Sequence, residues 1–257
     1  MRVVSLACSN TEIICALGCA SMLVGVDAHS DYPEAVVRSL PRVGPDLSID
    51  VEHVKALRPD LVIASLTVPG HERIVSRLQQ AGLRFIAPEP VSLADVRRDM
   101  RLIADQLGVA ERGEALVQEF DTAMRADDTA GKHRPRILVE WWPKPVIVPG
   151  SQSWVSEMIT LAGGVNPFAH LNVKSAPVSD EQVREACPEA VVISWCGVRT
   201  EKYHPRVVRR RPGWQDLPAL TRDRIAKIPE AYLGRPGPRL ALGLRDLRAV
   251  IRACKPY

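Results

Sequence analysis

Short apolar runs alternate with helically patterned stretches along the chain. The runs cover residues 3–6, 23–26, 61–64 and 83–86 in the first half, and residues 137–139, 146–148 and 191–193 in the second. Continuous apolar runs of this length are typical of strands buried on both faces of a parallel sheet, with helices in the crossovers. The two series predict an α/β fold of two Rossmann-like lobes with central parallel-type sheets.

The stretch between the two series has apolar residues at helical spacing, interrupted near Gly108. This spacing predicts two helices within residues 92–124, the second continuing to about residue 126 and joining the lobes. The predicted limits are 1–107 for the N-terminal lobe, 108–134 for the connecting helix and 135–257 for the C-terminal lobe. No proline interrupts this second helix, so it should be rigid and the lobes should move little relative to each other.

An internal repeat relates the two lobes. Residues 52–65 match residues 181–194 at a constant offset of 129, and each copy reads as a helix, a proline-acidic turn and a buried strand. Ligands of such sheets lie outside the carboxyl ends of the strands. Residues 65–66 and 194–195, which end the repeated strands, are therefore expected to border a ligand cleft between the lobes.

Composition narrows the class of protein. A length of 257 residues suits two lobes, and 46% hydrophobic with 25% charged residues is ordinary for a globular chain. No apolar stretch approaches the roughly 18 residues that a membrane span needs, so no span is predicted. The net charge of +4 is small, and the basic run 206–211 has no interleaved aromatics, which argues against a nucleic-acid partner.

The chain carries none of the common catalytic sequence motifs. It has no glycine-rich phosphate loop, no Gly-x-Ser-x-Gly elbow and no histidine pair at metal-ligand spacing. We therefore expect a monomeric protein that binds a ligand without transforming it. No catalytic residue and no catalytic cofactor are predicted.

The six cysteines bear on the compartment. They form no C-x-x-C pair, and buried free thiols in a reducing compartment are the expected state, with three disulfides as the alternative on count alone. Residues 5–8 echo a lipoprotein cleavage site, but only six residues precede Ala7-Cys8, too few for an export signal. The sequence as it stands predicts a cytoplasmic protein, and a start further upstream would predict a periplasmic or cell-surface one.

A series of short segments, taken in order, resembles a known family. The segments are residues 2–6, 9–13, 24–26, 30–33, 57–64, 161–164, 212–219 and 235–239. In this order they are similar to the cobalamin-binding branch of the class III, helical-backbone substrate-binding proteins of ABC importers. The resemblance implies two α/β lobes linked by one long rigid helix, with cobalamin or a related corrinoid bound in the cleft between them. Haem or a ferric siderophore is the alternative ligand, and a cytoplasmic corrinoid carrier or sensor without a permease is the alternative role.

The first lobe departs from the family pattern at its predicted site. His29 stands where the resemblance implies an aromatic residue before Ser-Asp-Tyr-Pro, and Asp46 and Ser65 stand where cleft tryptophans are implied. A neutral imidazole could ligate the cobalt of a corrinoid or the iron of haem, so His29 is a candidate metal ligand as well as a ligand contact. Tyr32 is a further candidate ligand contact, with shaping of its loop as the alternative role.

Aromatic residues of the second lobe supply the other candidate contacts. Trp142, Trp195 and Tyr232 are predicted to form flat apolar walls, with ordinary core packing as the alternative for each. Trp141 should alternate to the opposite side of its strand. Arg235 could donate hydrogen bonds to ligand amide oxygens or a phosphate, or could be an ordinary surface arginine.

Two glutamates begin the repeated segments, Glu52 and Glu181. In the family that the chain resembles, matching glutamates dock onto arginines of a dimeric permease. Glutamates at the start of a helix are also favoured by the helix dipole, without any partner. The sequence therefore predicts equivalent exposed positions for the pair, and an ABC permease dimer as the partner implied by the resemblance.

Overall fold

The computed structural model describes residues 1–126 and 133–254. The chain divides into two compact units, Met1–Phe120 and Asp121–Tyr257. Each unit holds parallel strands together with helices, so the predicted two-lobe α/β fold with parallel sheets is confirmed. Residues 127–132, within the predicted connecting segment, lie outside the described residues.

The first unit is built on a four-stranded parallel sheet with strand order β2-β1-β3-β4. Its strands are β1 (Val3–Ser5), β2 (Leu23–Val26), β3 (Leu61–Ile63) and β4 (Phe85–Ile86). Its helices are α1 (Cys8–Ala16), α2 (Glu34–Val37), α3 (Val51–Ala56), α4 (His71–Gln80) and α5 (Leu93–Gln106), followed by α6 (Ala110–Ala123), in which the unit ends.

The second unit has two three-stranded sheets, one of order β10-β9-β5 and one of order β6-β7-β8. The strands are β5 (Ile137–Glu140), β6 (Trp142–Pro143), β7 (Val146–Pro149), β8 (Ser175–Val178), β9 (Ala190–Ile193) and β10 (Ile225–Lys227). The helices are α7 (Trp154–Leu161), α8 (Asp180–Ala186), α9 (Pro205–Arg209), α10 (Pro218–Thr221), α11 (Glu230–Leu233) and α12 (Leu240–Arg252).

The sheet containing β7 corrects the sequence-based prediction. The apolar run 146–148 was expected to belong to a parallel sheet, but β7 pairs antiparallel with both β6 and β8. The reason lies in the connection, because only Lys144 and Pro145 separate β6 from β7. A parallel pair needs a crossover of about a dozen residues or more, whereas two residues suffice for a hairpin.

The two predicted helices of residues 92–124 are present as α5 and α6. Ser92 caps α5 by accepting a hydrogen bond from the Asp95 backbone N–H. Gly108, at φ +73°, lies between the helices in a left-handed conformation that favours glycine. Helix α6 ends at Ala123, three residues before the predicted end.

The internal repeat is a repeated helix–strand unit, α3–β3 in the first unit and α8–β9 in the second. Val54 and Val183, at equivalent positions, are both fully buried. Each helix is followed by a residue in the left-handed region, Arg58 at φ 47° and Cys187 at φ 45°, again at equivalent positions. A single left-handed residue after a helix lets the chain reverse into the strand, and here neither copy uses glycine for it.

The acidic residue of each proline-acidic turn anchors the neighbouring strand. In the first unit the Arg2 N–H donates to Asp60 Oδ2 (2.6 Å), and the Asp60 N–H donates back to the Arg2 carbonyl (2.8 Å). In the second unit the Arg136 N–H donates to Glu189 Oε1 (3.3 Å), and the Glu189 N–H donates to the Arg136 carbonyl (2.8 Å). These bonds lie just before β1 and β5, which pair in parallel with β3 and β9. The repeat thus extends to a β-strand, helix and β-strand in each unit.

Each unit has its own hydrophobic core. In the first, residues of β1, β3, α3 and α4 meet in one cluster, and in the second, residues of β5, β7 and β9 meet with Trp195, Tyr203 and Trp214. Complete burial of each large apolar side chain contributes about 1.5–3 kcal/mol. Across residues 1–126 and 133–254, the longest apolar helices fall short of what a membrane crossing requires.

Candidate functional site

All of the candidate ligand contacts lie beyond the carboxyl ends of parallel strands. His29 and Tyr32 follow β2 in the first unit. In the second unit, Trp142 and Trp195 follow β5 and β9, and residues 232–235 lie in and after α11, which follows β10. This edge is where open α/β sheets bind ligands.

A buried carboxylate organises the loop after β2. The Asp27 side chain has no solvent exposure, and it accepts hydrogen bonds from Ser30 Oγ (2.5 Å) and the His29 N–H (2.8 Å). Burial raises the pKa of Asp27, and these two hydrogen bonds oppose the rise by stabilising the charged form. One bond holds the backbone of His29, and the other holds the side chain of the next residue.

Further buried contacts extend this network into the sheet. Thr11 Oγ1 lies 2.8 Å from Ser5 Oγ, at the end of β1, and 2.8 Å from Ser30 Oγ. The Arg42 guanidinium donates to the carbonyls of Asp27 and Ser30. A satisfied polar network of this kind makes the loop rigid, because each buried group would cost free energy if it lost its partner. The loop therefore presents its exposed side chains in a fixed position.

His29 is one of those exposed side chains, and a carboxylate lies beside it. The imidazole is 55% exposed, and its Nε2 is 3.7 Å from Asp46 Oδ1. The other oxygen, Asp46 Oδ2, lies 3.4 Å from Nε2 of the buried His71. The hydrogen bond with His71 is the largest cause that lowers the pKa of Asp46, so this side chain is a carboxylate at neutral pH.

The sequence singled out His29 and noted Asp46 only as a departure from the family pattern. His71 was missed, because nothing in its local sequence points to Asp46. Ser65, the other departure, is buried and lies 2.8 Å from Thr67 Oγ1. Tyr32 is exposed, at the end of the same loop as His29.

Trp142 lies on the short strand β6 with its side chain 41% exposed, whereas Trp141 is buried. The predicted alternation of these two tryptophans is thus present. Backbone pairing of Trp142 with Ile147 holds β6 on one side. Arg211 Nη2 donates to the Pro143 carbonyl (3.2 Å) and ties the same strand to the core. Trp142 is therefore an exposed aromatic surface on an anchored hairpin.

Trp195 is placed differently from the prediction that it forms a ligand wall. Its side chain is only 6% exposed and belongs to the core cluster of the second unit. The indole Nε1 donates to Glu140 Oε1 (2.7 Å), and the ring packs against Tyr203 at a centroid distance of 5.6 Å. Contact of Trp195 with a ligand stays a prediction, and this burial favours the alternative role of core packing.

A buried ion pair supports this region. Arg211 Nη1 and Nη2 donate to Glu140 Oε2 (2.5 Å) and Oε1 (2.8 Å), and the guanidinium lies 4.5 Å from the centre of the Trp214 ring. This pair was not predicted, because Arg211 ends a basic run whose other arginines are exposed. The available signal was Glu140, an acidic residue that directly follows the continuous apolar run 137–139 and ends strand β5.

Tyr232 and Arg235 lie close together after β10. Arg235 Nε is 3.2 Å from Glu230 Oε2, and both side chains are mostly buried. The Arg239 guanidinium lies 5.7 Å from the centre of the half-buried Tyr232 ring. Arg235 is thus held in place by Glu230, whose carboxylate partly neutralises the positive charge of the guanidinium.

Glu52 and Glu181 occupy matching exposed positions, each as the second residue of its helix. Asp50 caps α3 and Ser179 caps α8, in each case by accepting from the backbone N–H three residues on. Both carboxylates point away from the cores of their own units, as a docking role requires.

The cysteines and the potential metal ligands of the described residues bear on disulfide formation and on metal binding. Within residues 1–126 and 133–254, no cysteine forms a disulfide. The expectation that the thiols are buried holds for Cys19 and Cys254 only, since Cys196 is exposed and the other three, Cys8, Cys15 and Cys187, are partly exposed. The same ranges contain no group of three or more histidine, cysteine, aspartate or glutamate side chains that could hold a metal ion.

Comparison with known proteins defines the class. A family model described as periplasmic binding protein matches residues 3–232. Since this match spans most of the chain, the protein belongs to the periplasmic binding protein family. This agrees with the two α/β lobes and the position of the exposed side chains beyond the strand ends.

Three relatives are informative. The chain is 26% identical to an uncharacterized ABC transporter substrate-binding lipoprotein of Bacillus subtilis, covering 96% of this chain and 78% of the relative. It is 29% identical to a vitamin B12-binding protein of Yersinia pestis, covering 96% and 84%. The structure of a periplasmic heme-binding protein from Roseiflexus is similar with a TM-score of 0.84 at 29% identity, covering 99% of both chains.

Proposed function

We propose that this protein binds cobalamin or a related corrinoid, as the substrate-binding component of an ABC importer. The observation that carries the proposal is the set of exposed side chains beyond the strand ends, His29 and Tyr32 in the first unit and Trp142 in the second. Flat aromatic surfaces suit a large planar ligand because they bury much area at low entropy cost. The similarity to a vitamin B12-binding protein over 96% of the chain supports the same ligand.

Haem is the second candidate ligand. Two observations favour it over a siderophore: the similarity to a heme-binding protein across 99% of the chain, and an exposed imidazole where the family resemblance implies an aromatic residue. A neutral imidazole is a common ligand of iron. Corrinoid and haem share the two features on which the proposal rests, a flat macrocycle and a central metal.

Binding without turnover is the proposed activity. Membership of a family of binding proteins supports it. An ABC permease is the proposed partner, with Glu52 and Glu181 as its contacts. Their matching exposed positions on two capped helices support this assignment. Similarity to a substrate-binding lipoprotein favours a location outside the cytoplasm, and a cytoplasmic corrinoid carrier is the alternative.

Titration of the purified protein tests the ligand directly. Ultraviolet-visible titration and calorimetry with aquocobalamin, cyanocobalamin and hemin should give saturable binding with at least one of the three. A dissociation constant weaker than about 100 μM corresponds to less than about 5.5 kcal/mol of binding free energy, too little for a dedicated binding protein. If neither heat nor a spectral change is seen with any of these ligands up to about that concentration, the proposed function is wrong.

A further inference from the structure

His71, Asp46 and His29 form a chain of contacts, here called the relay. The tautomer of His71, its first member, is set by the hydrogen bond that its ring accepts. The Val68 backbone N–H donates to His71 Nδ1 (3.4 Å). A nitrogen that accepts this bond carries a lone pair, so the ring proton of neutral His71 lies on Nε2. That nitrogen is the one that lies 3.4 Å from Asp46 Oδ2. His71 therefore donates to Asp46, and its burial holds it there.

Asp46 is in turn oriented through both carboxylate oxygens. Oδ2 accepts from His71, and Oδ1 accepts from the Leu47 backbone N–H (2.9 Å). These two bonds leave Oδ1 directed toward His29 Nε2, at 3.7 Å. The separation is an ion-pair distance, and a shift of about 0.7 Å of the exposed His29 ring would bring it to hydrogen-bond length.

A carboxylate beside Nε2 determines which nitrogen of His29 remains available. The carboxylate only accepts hydrogen bonds, so it stabilises the tautomer with the proton on Nε2. Nδ1 then carries the lone pair of a side chain that is 55% exposed. Carboxylates that hold the second nitrogen of a ligating histidine fix its orientation and raise its basicity. The buried network around Asp27 also fixes the backbone of His29.

We propose that Asp46, held by His71, is a positioning residue that directs Nδ1 of His29 to the metal of a tetrapyrrole with an exchangeable axial ligand. This inference rests on the proposed function and narrows its ligand class. In the binding step the Nδ1 lone pair forms a bond to the metal, and the metal-bound water leaves as water. Hemin and aquocobalamin offer such a position, whereas the cyanide of cyanocobalamin blocks it.

The test compares three ligands on four proteins: the wild type, His29→Ala, Asp46→Asn and His53→Ala. His53 is an exposed histidine of α3 outside this cluster and serves as the matched control. In the wild type, aquocobalamin or hemin should show the visible band shift of imidazole ligation, and His53→Ala should retain it. His29→Ala should lose the shift. Asp46→Asn should weaken binding of that ligand by about 10-fold while changing cyanocobalamin binding less than about 2-fold.

A ligand-free measurement tests the relay by itself. Long-range ¹H–¹⁵N correlation spectra should show the ring proton of both His29 and His71 on Nε2. A proton on Nδ1 of either ring overturns the relay, independently of the results of the ligand titrations.

The outcomes separate this inference from the proposed function. A shift with hemin alone, or with aquocobalamin alone, supports the inference and identifies the natural ligand class. Binding of all three ligands with no shift, or with a shift that survives in His29→Ala, overturns the inference and leaves the proposed function standing. If no tetrapyrrole binds to the wild type, both are wrong.

Discussion

Replacing Arg211 with methionine should leave the Glu140 carboxylate buried in the second unit without its cation. Glu140 has no solvent exposure, and the Arg211 side chain is 8% exposed. Removing one partner of a buried ion pair costs about 3–5 kcal/mol, because the remaining charge keeps its desolvation penalty. The indole N–H of Trp195 also bonds to Glu140, but a neutral donor does not replace the charge of the guanidinium. We therefore expect Arg211→Met to destabilise the second unit by about 3–5 kcal/mol.

The double variant should be milder than the single one. Glu140→Gln keeps an acceptor for the Trp195 indole and removes the buried charge. Combined with Arg211→Met it should cost only about 0–2 kcal/mol, since neutral replacements of buried pairs are often tolerated. The coupling energy between the two positions should thus be several kcal/mol. Arg209, whose exposed guanidinium pairs with Asp223, supplies the control. Arg209→Met should cost no more than about 1 kcal/mol.

Tryptophan fluorescence during urea unfolding is the suitable assay. All five tryptophans lie after residue 140, so their emission reports on the second unit alone. The shift of the unfolding midpoint, multiplied by the slope of the transition, gives each change in stability. If Arg211→Met is no more destabilising than Arg209→Met, the ion pair does not support this unit and the reasoning is wrong.

Three other results are expected. Burial raises the pKa of Asp99 to about 6, so the stabilising contribution of its protonated form should be complete below about pH 3.8 and be lost as pH rises through 6, a change of up to about 3 kcal/mol. Asp99→Asn should remove this decline in urea titrations at several pH values, and an unchanged decline would contradict the assignment. Trp142→Ala should weaken tetrapyrrole binding by about 1–3 kcal/mol, or about 5- to 150-fold, in calorimetry, and equal affinity would argue against a contact. Glu52→Lys with Glu181→Lys should abolish productive docking in transport assays with the cognate permease, and full transport would exclude that role.

Much of the fold could be predicted because it depends on local sequence. Buried parallel strands need continuous apolar residues, and the turns between helix and strand recur in both halves at the same offset. The hairpin of β6 and β7 was missed because its apolar run looks the same in either sheet type. Only the two-residue connection distinguishes the antiparallel pairing, and this depends on where β6 ends.

The site was less predictable because its key contacts join residues far apart in sequence. Exposure of Trp142 beside buried Trp141 follows from alternation along a strand. Burial of Trp195 does not, since it depends on Glu140 and Tyr203. Likewise, Asp46 and His71 are 25 residues apart, and only the fold brings them together.

The repeat shows where the two halves became different. Their helix–strand units share three features that serve folding. These are a capped helix, a left-handed residue after it, and an acidic side chain that bonds to the backbone just before the neighbouring strand, β1 or β5. The two halves differ after the repeated strands, where Leu66 in the first unit corresponds to Trp195 in the second. They differ again at other strand ends, since the first unit presents the exposed His29 after β2, whereas the second presents the exposed Trp142 after β5 and buries the ion pair of Glu140 and Arg211. In the proposed function, His29 of the first half would supply a metal ligand and Trp142 of the second half an aromatic contact. We therefore expect that neither half alone, titrated with the same ligands, binds a tetrapyrrole with the affinity of the intact chain, and equal affinity for one half would contradict this division of roles.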